Sequence, residues 1–187
     1  MIGSPVETIM RKITTLCLLL IIFAVGALAQ SGGTDDQATK KLGAFVGKWQ
    51  SEGTFQETAI SHAGKVSSVI DCGWSPQGNF LICEQQITDS TGKHIQLSIF
   101  SYNSKDGNYT ISSMAGPGRT PWNGTLTIEG NIWTYPGGFE RDGKKIQIRT
   151  INDFSVPGTE TFKTEFSEDG GAHWTTSLQG TAHKVAK

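Results

Sequence analysis

The chain has 187 residues, a formal net charge of −1 and 18% charged residues. The charges are interspersed rather than gathered in a basic stripe, which argues against a nucleic-acid partner, and no polybasic or strongly amphipathic helical segment suits a membrane surface. The length is enough for one domain with a sizeable core.

Arg11 and Lys12 precede "ITTLCLLLIIFAVG", and Ala27-Leu28-Ala29 follows. A basic start, an apolar centre and an Ala-x-Ala exit read as a secretory signal over residues 1–29, with export to the periplasm or the exterior. Met10 is then a candidate start. A membrane anchor is the rival reading, but the apolar run is shorter than the roughly 20 residues of a spanning helix, and polar "QSGGTDDQATKK" follows it. No stable membrane insertion is expected after cleavage. The domain is then residues 30–187.

"DDQATKKLGAFVG" predicts one short helix from Asp36 to Phe45, with acids at its start, Gly47 beyond its end, and Ala38, Leu42 and Phe45 on one face. Strands and turns follow. Ten strands are expected over 47–56, 64–74, 79–88, 93–102, 107–114, 122–129, 131–136, 144–154, 159–167 and 173–183. Alternation is cleanest in "IQLSIF" and "TFKTEF", the half-buried antiparallel pattern. No segment offers a crossover helix. Ten hairpin-linked strands curl or close to hide their edges, so the expected fold is all-β, an antiparallel up-and-down barrel with a short N-terminal helix. A two-sheet sandwich is the alternative.

Only Cys72 and Cys83 lie beyond the leader, and an exported pair predicts a disulfide. If the intervening hairpin centres between Gln77 and Gly78, Cys72 faces Cys83 across two strands, Trp74 faces Leu81 and Ile70 faces Gln85. Two unpaired buried thiols are the other reading. Two thiols without a neighbouring His or Cys are too few for structural zinc.

Gly47-Lys48-Trp49 opens the first strand directly after the helix. A Gly there permits a tight entry, and Trp49 can plug one end of a barrel. This placement resembles the calycin group of lipocalins, fatty-acid-binding proteins and nitrobindin-like barrels. By that resemblance a basic residue near the last strand packs over the Trp; Lys184 and Arg149 are the candidates. "FVGKWQSEGTF", "FSYNSKDGNYT" and "FKTEFSEDGGAHWTTSLQGTAHKV" together resemble a bacterial family, domain of unknown function 1579. The resemblance implies a calycin-like barrel and supplies no catalytic residues.

"SEDGGAHW" is similar to the Ser-x-Asp box of sialidase-type propellers, but it occurs once, and its physics is that of a capped hairpin: Asp169 caps, two glycines bend, Trp174 covers. His62, His94, His173 and His183 stand at no metal-ligand spacing. Nitrobindin-like barrels hold haem through a histidine near the last strand, which points to His183; strict alternation instead groups His183 with His173, Thr175, Ser177, Gln179 and Thr181, which is the solvent face unless the barrel interior is polar, so no cofactor is expected. Nucleophile and metalloprotease motifs are missing, and the carboxylates are scattered, so no enzyme is assigned.

"MAGPGRTPWNG" breaks the strand rhythm around Met114, Arg119 and Trp122, and "TYPGGFERDG" carries Tyr135, Phe139 and Arg141 as a second rim loop. Met114, Arg119, Trp122 and Tyr135 are the candidate ligand-binding residues, suited to closing over an amphiphile; a plain connection is the alternative for the first loop. Three functions follow in order: a barrel binding a small apolar or amphipathic molecule, a filled barrel with a structural or interaction role, and an enzyme. Large inward residues such as Trp74, Phe100, Trp133 and Phe162 would favour the filled barrel.

Overall fold

A computed structural model describes residues 33–116 and 121–185. The leader over 1–29 and Arg119 lie outside them. Two compact units are distinguished, Met1–Ala38 and Thr39–Lys187. Helix α1 (Gly33–Lys41) runs across that boundary and is followed by a 3-10 turn, Leu42–Phe45. The helix predicted over 36–45 is therefore an α-helix that starts earlier and tightens at its end.

The second unit is a closed antiparallel barrel of ten strands. These are β1 (Gly47–Phe55), β2 (Gly64–Trp74), β3 (Leu81–Asp89), β4 (Gly92–Asn103), β5 (Asn108–Ala115), β6 (Trp122–Glu129), β7 (Ile132–Arg141), β8 (Lys144–Asp153), β9 (Thr159–Ser167) and β10 (Thr175–Lys184). Each strand pairs with its chain neighbours, and β1 closes on β10 from Trp49–Lys184 to Phe55–Leu178. Closure gives every strand two neighbours, although β6 and β7 meet over three positions only; hiding the strand edges in this way is why the hairpin series ends as a barrel and not as a sandwich.

The Cys72 register is as expected: Cys72 faces Cys83, Trp74 faces Leu81 and Ile70 faces Gln85. The sulfurs are bonded, with the two Cα atoms 4.1 Å apart. Both cysteines are buried on the inner face.

One end of the barrel is packed shut. Leu42 and Phe45 of the 3-10 turn are buried there. The Phe45 ring centroid lies 5.4 Å from Trp133 and 5.0 Å from Phe154. Trp49 is 2% exposed, stands 6.2 Å from Phe45, and donates its indole N–H to the Phe45 carbonyl at 2.9 Å. Gly47 has φ +115°, and a Cβ there would lie 2.7 Å from Lys184 Cε. Lys184 uses that space to lay its ammonium 5.4 Å from the Trp49 ring. The Gly-x-Trp pair thus does two jobs: the glycine takes a left-handed turn and makes room for a lysine that covers the tryptophan. Arg149, the other candidate, stacks 4.0 Å over Trp174 instead.

Three expectations are corrected. Strand β7 does not stop at residue 136 but continues to Arg141, paired with β8 from Ile132–Asp153 to Arg141–Lys144. "TYPGGFERDG" is therefore strand, and its breakers Pro136, Gly137 and Gly138 sit inside it. They are tolerated because β7 has a second neighbour only near its start: β6 pairs it through Thr127–Thr134, Ile128–Trp133 and Glu129–Ile132 alone, and a proline's missing N–H costs least where one side of the strand is unpaired. Trp74 faces Leu81 in register, yet it is 37% exposed, because the strand ends there. Strand β10 carries a bulge between Thr176 and Leu178. The extra residue shifts the alternation, so Thr175 does not share the outer face with His183. Leu178, Gly180 and Ala182 point inward, and His183 points out, its ring nitrogen 3.4 Å from the Thr159 hydroxyl.

Candidate functional site

Above the aromatic end the barrel holds a cavity of about 460 Å³ that is partly open to solvent. Apart from the bulge in β10, the strands follow the period-two rule, so the inner wall can be read off the register. β1 contributes Ser51, β3 Cys83 and Gln85, β4 Gln96, Ser98 and Phe100, β7 Tyr135, β8 Thr150 and Asn152, and β9 Glu160, Phe162 and Thr164. The wall is richer in hydroxyls and amides than an apolar-filled barrel needs.

Most of these polar groups satisfy one another across the strands. Ser51 and Ser68 hydroxyls lie 2.6 Å apart, and Gln85 donates to Ser68 at 2.9 Å. Ser98 and Ser113 are 3.2 Å apart, and Thr150 and Thr164 are 3.0 Å apart. Such pairs remove the cost of burying each hydroxyl.

Two groups are left over. Glu160 is 3% exposed, and its carboxyl has no hydrogen-bond or ion-pair partner among the described residues. Burial pushes its pKa up to about 8. Asn152 is 8% exposed, and its Oδ1 has no partner among the described residues. The register places the two together. Asn152 opposes Phe162 on β9, so Glu160, two residues away on the same face, is its diagonal neighbour. Tyr135 opposes Thr150 and is Asn152's diagonal neighbour on the other side. Its phenol is held well above the usual range, by burial first and by the nearness of Glu160 second. A buried polar atom without a partner costs about 1–3 kcal/mol. Glu160 and Asn152 therefore form the energetic weak point of the wall.

The candidate residues divide. Trp122 and Tyr135 line the cavity. Trp122 lies where β6 and β7 have separated, its ring folded back over Gly124, where a Cβ would meet it at 2.8 Å from Cη2. Met114 opposes Leu97 on the outer face and is 49% exposed. Tyr135 reaches the cavity from a strand and not from a rim loop. Nothing in the sequence singles out Glu160 and Asn152; "TETF" and "TIND" do carry the alternation that puts them on the inner face, but no local feature marks them as unpartnered.

Toward the open end a smaller space of about 200 Å³ is lined by Asp89 and His94. They pair at 3.2 Å, and the Thr91 hydroxyl donates to Asp89 at 2.6 Å. Hydrogen bonds from the Thr91 side chain and backbone hold the Asp89 carboxyl down at about 2. Outside the barrel, Glu165 accepts from Arg149 at 2.7 Å and Lys163 at 2.8 Å. Burial raises its pKa, and these hydrogen bonds more than offset that, leaving it lowered. "SEDGGAHW" is a capped turn: Asp169 accepts from Ser167 at 2.7 Å and from the His173 backbone at 2.9 Å. Among the described residues, no group of three or more His, Cys, Asp or Glu is placed to hold a metal ion.

No family model matches the sequence, and no curated protein matches it. Several solved structures are similar to it. Rv2717c from M. tuberculosis superposes with a TM-score of 0.53 at 14% identity, over 80% of this chain and 98% of the other. The S-type phycobiliprotein lyase CPES from Guillardia theta gives 0.51 at 11% identity, over 81% and 93%. The likeness is one of fold. It adds independent support for the closed barrel and leaves the inner wall to be read from this chain's own residues.

Proposed function

We propose that the protein is a small-molecule-binding barrel of the calycin type, with its ligand in the inner cavity. One observation carries the reading: a cavity of about 460 Å³ whose wall holds two buried polar groups, Glu160 and Asn152, without partners among the described residues. The volume falls in the range of roughly 300–1,000 Å³ typical of small-ligand sites. A protein that merely filled its barrel would have no reason to leave those groups unpaired there. The aromatic end supports a ligand that is amphipathic, with rings or chain against Phe45 and Phe100 and polar atoms toward the wall. Export fits the Cys72–Cys83 bond, since such bonds persist in oxidising compartments. Among the described residues no helix is long and apolar enough to cross a membrane.

The test is titration with N-phenyl-naphthylamine, a neutral probe that fluoresces in apolar cavities. Saturable one-to-one binding is expected, and Thr150→Trp or Leu178→Trp, which drive a ring into the cavity, abolish it. No saturable binding, or binding unchanged in both folded variants, assigns the barrel a structural role instead.

A further inference from the structure

We infer that the ligand carries a protonated amine or a similar N–H-donating cation, seated at the floor of the cavity against Glu160 and Asn152. This rests on the cavity-binding reading above and specifies its chemistry.

Both unpartnered groups offer acceptor oxygens: the Asn152 Oδ1 and the Glu160 carboxyl. A ligand that only accepts hydrogen bonds would satisfy a protonated Glu160 and leave Asn152 Oδ1 as it is. An N–H donor satisfies both. Charge points the same way. Among the described residues lining the cavity, Glu160 is the one carboxyl, and no Lys, Arg or His lines it. A carboxylate ligand would meet no counter-ion there. His94, nearer the open end, is already paired with Asp89, and Lys184 turns its ammonium over Trp49. A ligand cation would supply what the wall lacks, and the charge-assisted bond to Glu160 is about twice as strong as a neutral one. The rings of Phe45, Phe100 and Tyr135 line the same floor, and aromatic faces attract cations.

The groups facing Glu160 are few. Across β10 it meets Ala182; on the β8 side Asn152 is its diagonal neighbour; on β7 Tyr135 is the titratable group that feels it. With no counter-ion beside it among the described residues, burial keeps Glu160 protonated at neutral pH. Seating an ammonium requires it to ionise, so binding releases a proton to solvent. Affinity for the cation then rises by close to tenfold per pH unit from about pH 6 to 7.5, as linkage demands.

Calorimetric titration with tryptamine, tryptophol and indoleacetate tests this with one ring system and three charges. Tryptamine is expected to bind at least tenfold more tightly than the other two, to release close to one proton at neutral pH, and to gain affinity as pH rises. Glu160→Gln erases the preference, bringing tryptamine to within about threefold of tryptophol, and abolishes the proton release. Should Glu160→Gln not fold, the selectivity and pH profile of the unaltered protein decide alone. Tryptophol or indoleacetate binding as tightly as tryptamine overturns the inference while the binding-barrel reading stands. Failure of all three where N-phenyl-naphthylamine binds overturns it in the same way. If that probe fails as well, both readings fall.

Discussion

Glu160 makes stability depend on pH in a direction opposite to that of most carboxylates. The unfolded chain releases its proton near 4.5, the folded chain near 8. Between those values the native state holds a proton that the unfolded state lacks, so unfolding is favoured as pH rises. The contribution is fully present below 4.5 and is lost on the way through 8. From pH 5.5 to 7.5 the loss is about 2.5 kcal/mol, at roughly 1.4 kcal/mol per pH unit less the tails of the two titrations. Glu160→Gln keeps the shape and cannot ionise. Denaturant unfolding of both proteins at half-unit pH steps gives their difference, in which the four histidines cancel because both proteins carry them. The variant is expected to gain about 2.5 kcal/mol on the unaltered protein across that window. A difference that stays constant from pH 5.5 to 7.5 refutes the claim that Glu160 is buried without a partner.

Three further outcomes follow from the packing. Cys72→Ala with Cys83→Ala removes a cross-link spanning 11 residues and lowers stability by about 3 kcal/mol in the loop-entropy account; thermal unfolding with and without reductant measures it, and the double variant no longer responds to reductant. Gly180→Ala places a methyl against the Glu52 carbonyl and the Phe162 ring, and 2.7 Å from Gly53 Cα, which costs about 3 kcal/mol or more as overpacking against backbone and appears as a lowered denaturant midpoint. Arg149→Lys leaves the charge but loses the planar stack on Trp174 and the Nε–H hydrogen bond to Glu165; a loss of about 1 kcal/mol is expected, with a change in tryptophan fluorescence that Lys163→Ala does not reproduce.

Much of this architecture is written in short-range chemistry. Alternation in "IQLSIF" and "TFKTEF", and turn residues at each hairpin, locate nine strands to within a few residues, because side-chain period and turn geometry are properties of the local backbone. The Cys72–Cys83 pair is legible for the same reason: both cysteines lie on one hairpin, whose centre sets their register. Where the local signal misleads, a neighbour decides. Pro136 and the glycines after it look like a loop, and only pairing with β8 on one side, with β6 turned away on the other, makes them strand. Strict alternation along β10 puts His183 on the correct face and Thr175 on the wrong one, because the bulge between Thr176 and Leu178 interrupts it.

The site belongs to the other class. Glu160 and Asn152 sit on different strands, ordinary in their own sequence, and each stands out only for what the remaining strands fail to bring to it. Whether a polar group has a partner depends on every wall that surrounds it, and a barrel assembles those walls from residues up to the full length of the domain apart. A strand's pattern can say that a side chain points inward. What it meets there is decided when β1 closes on β10.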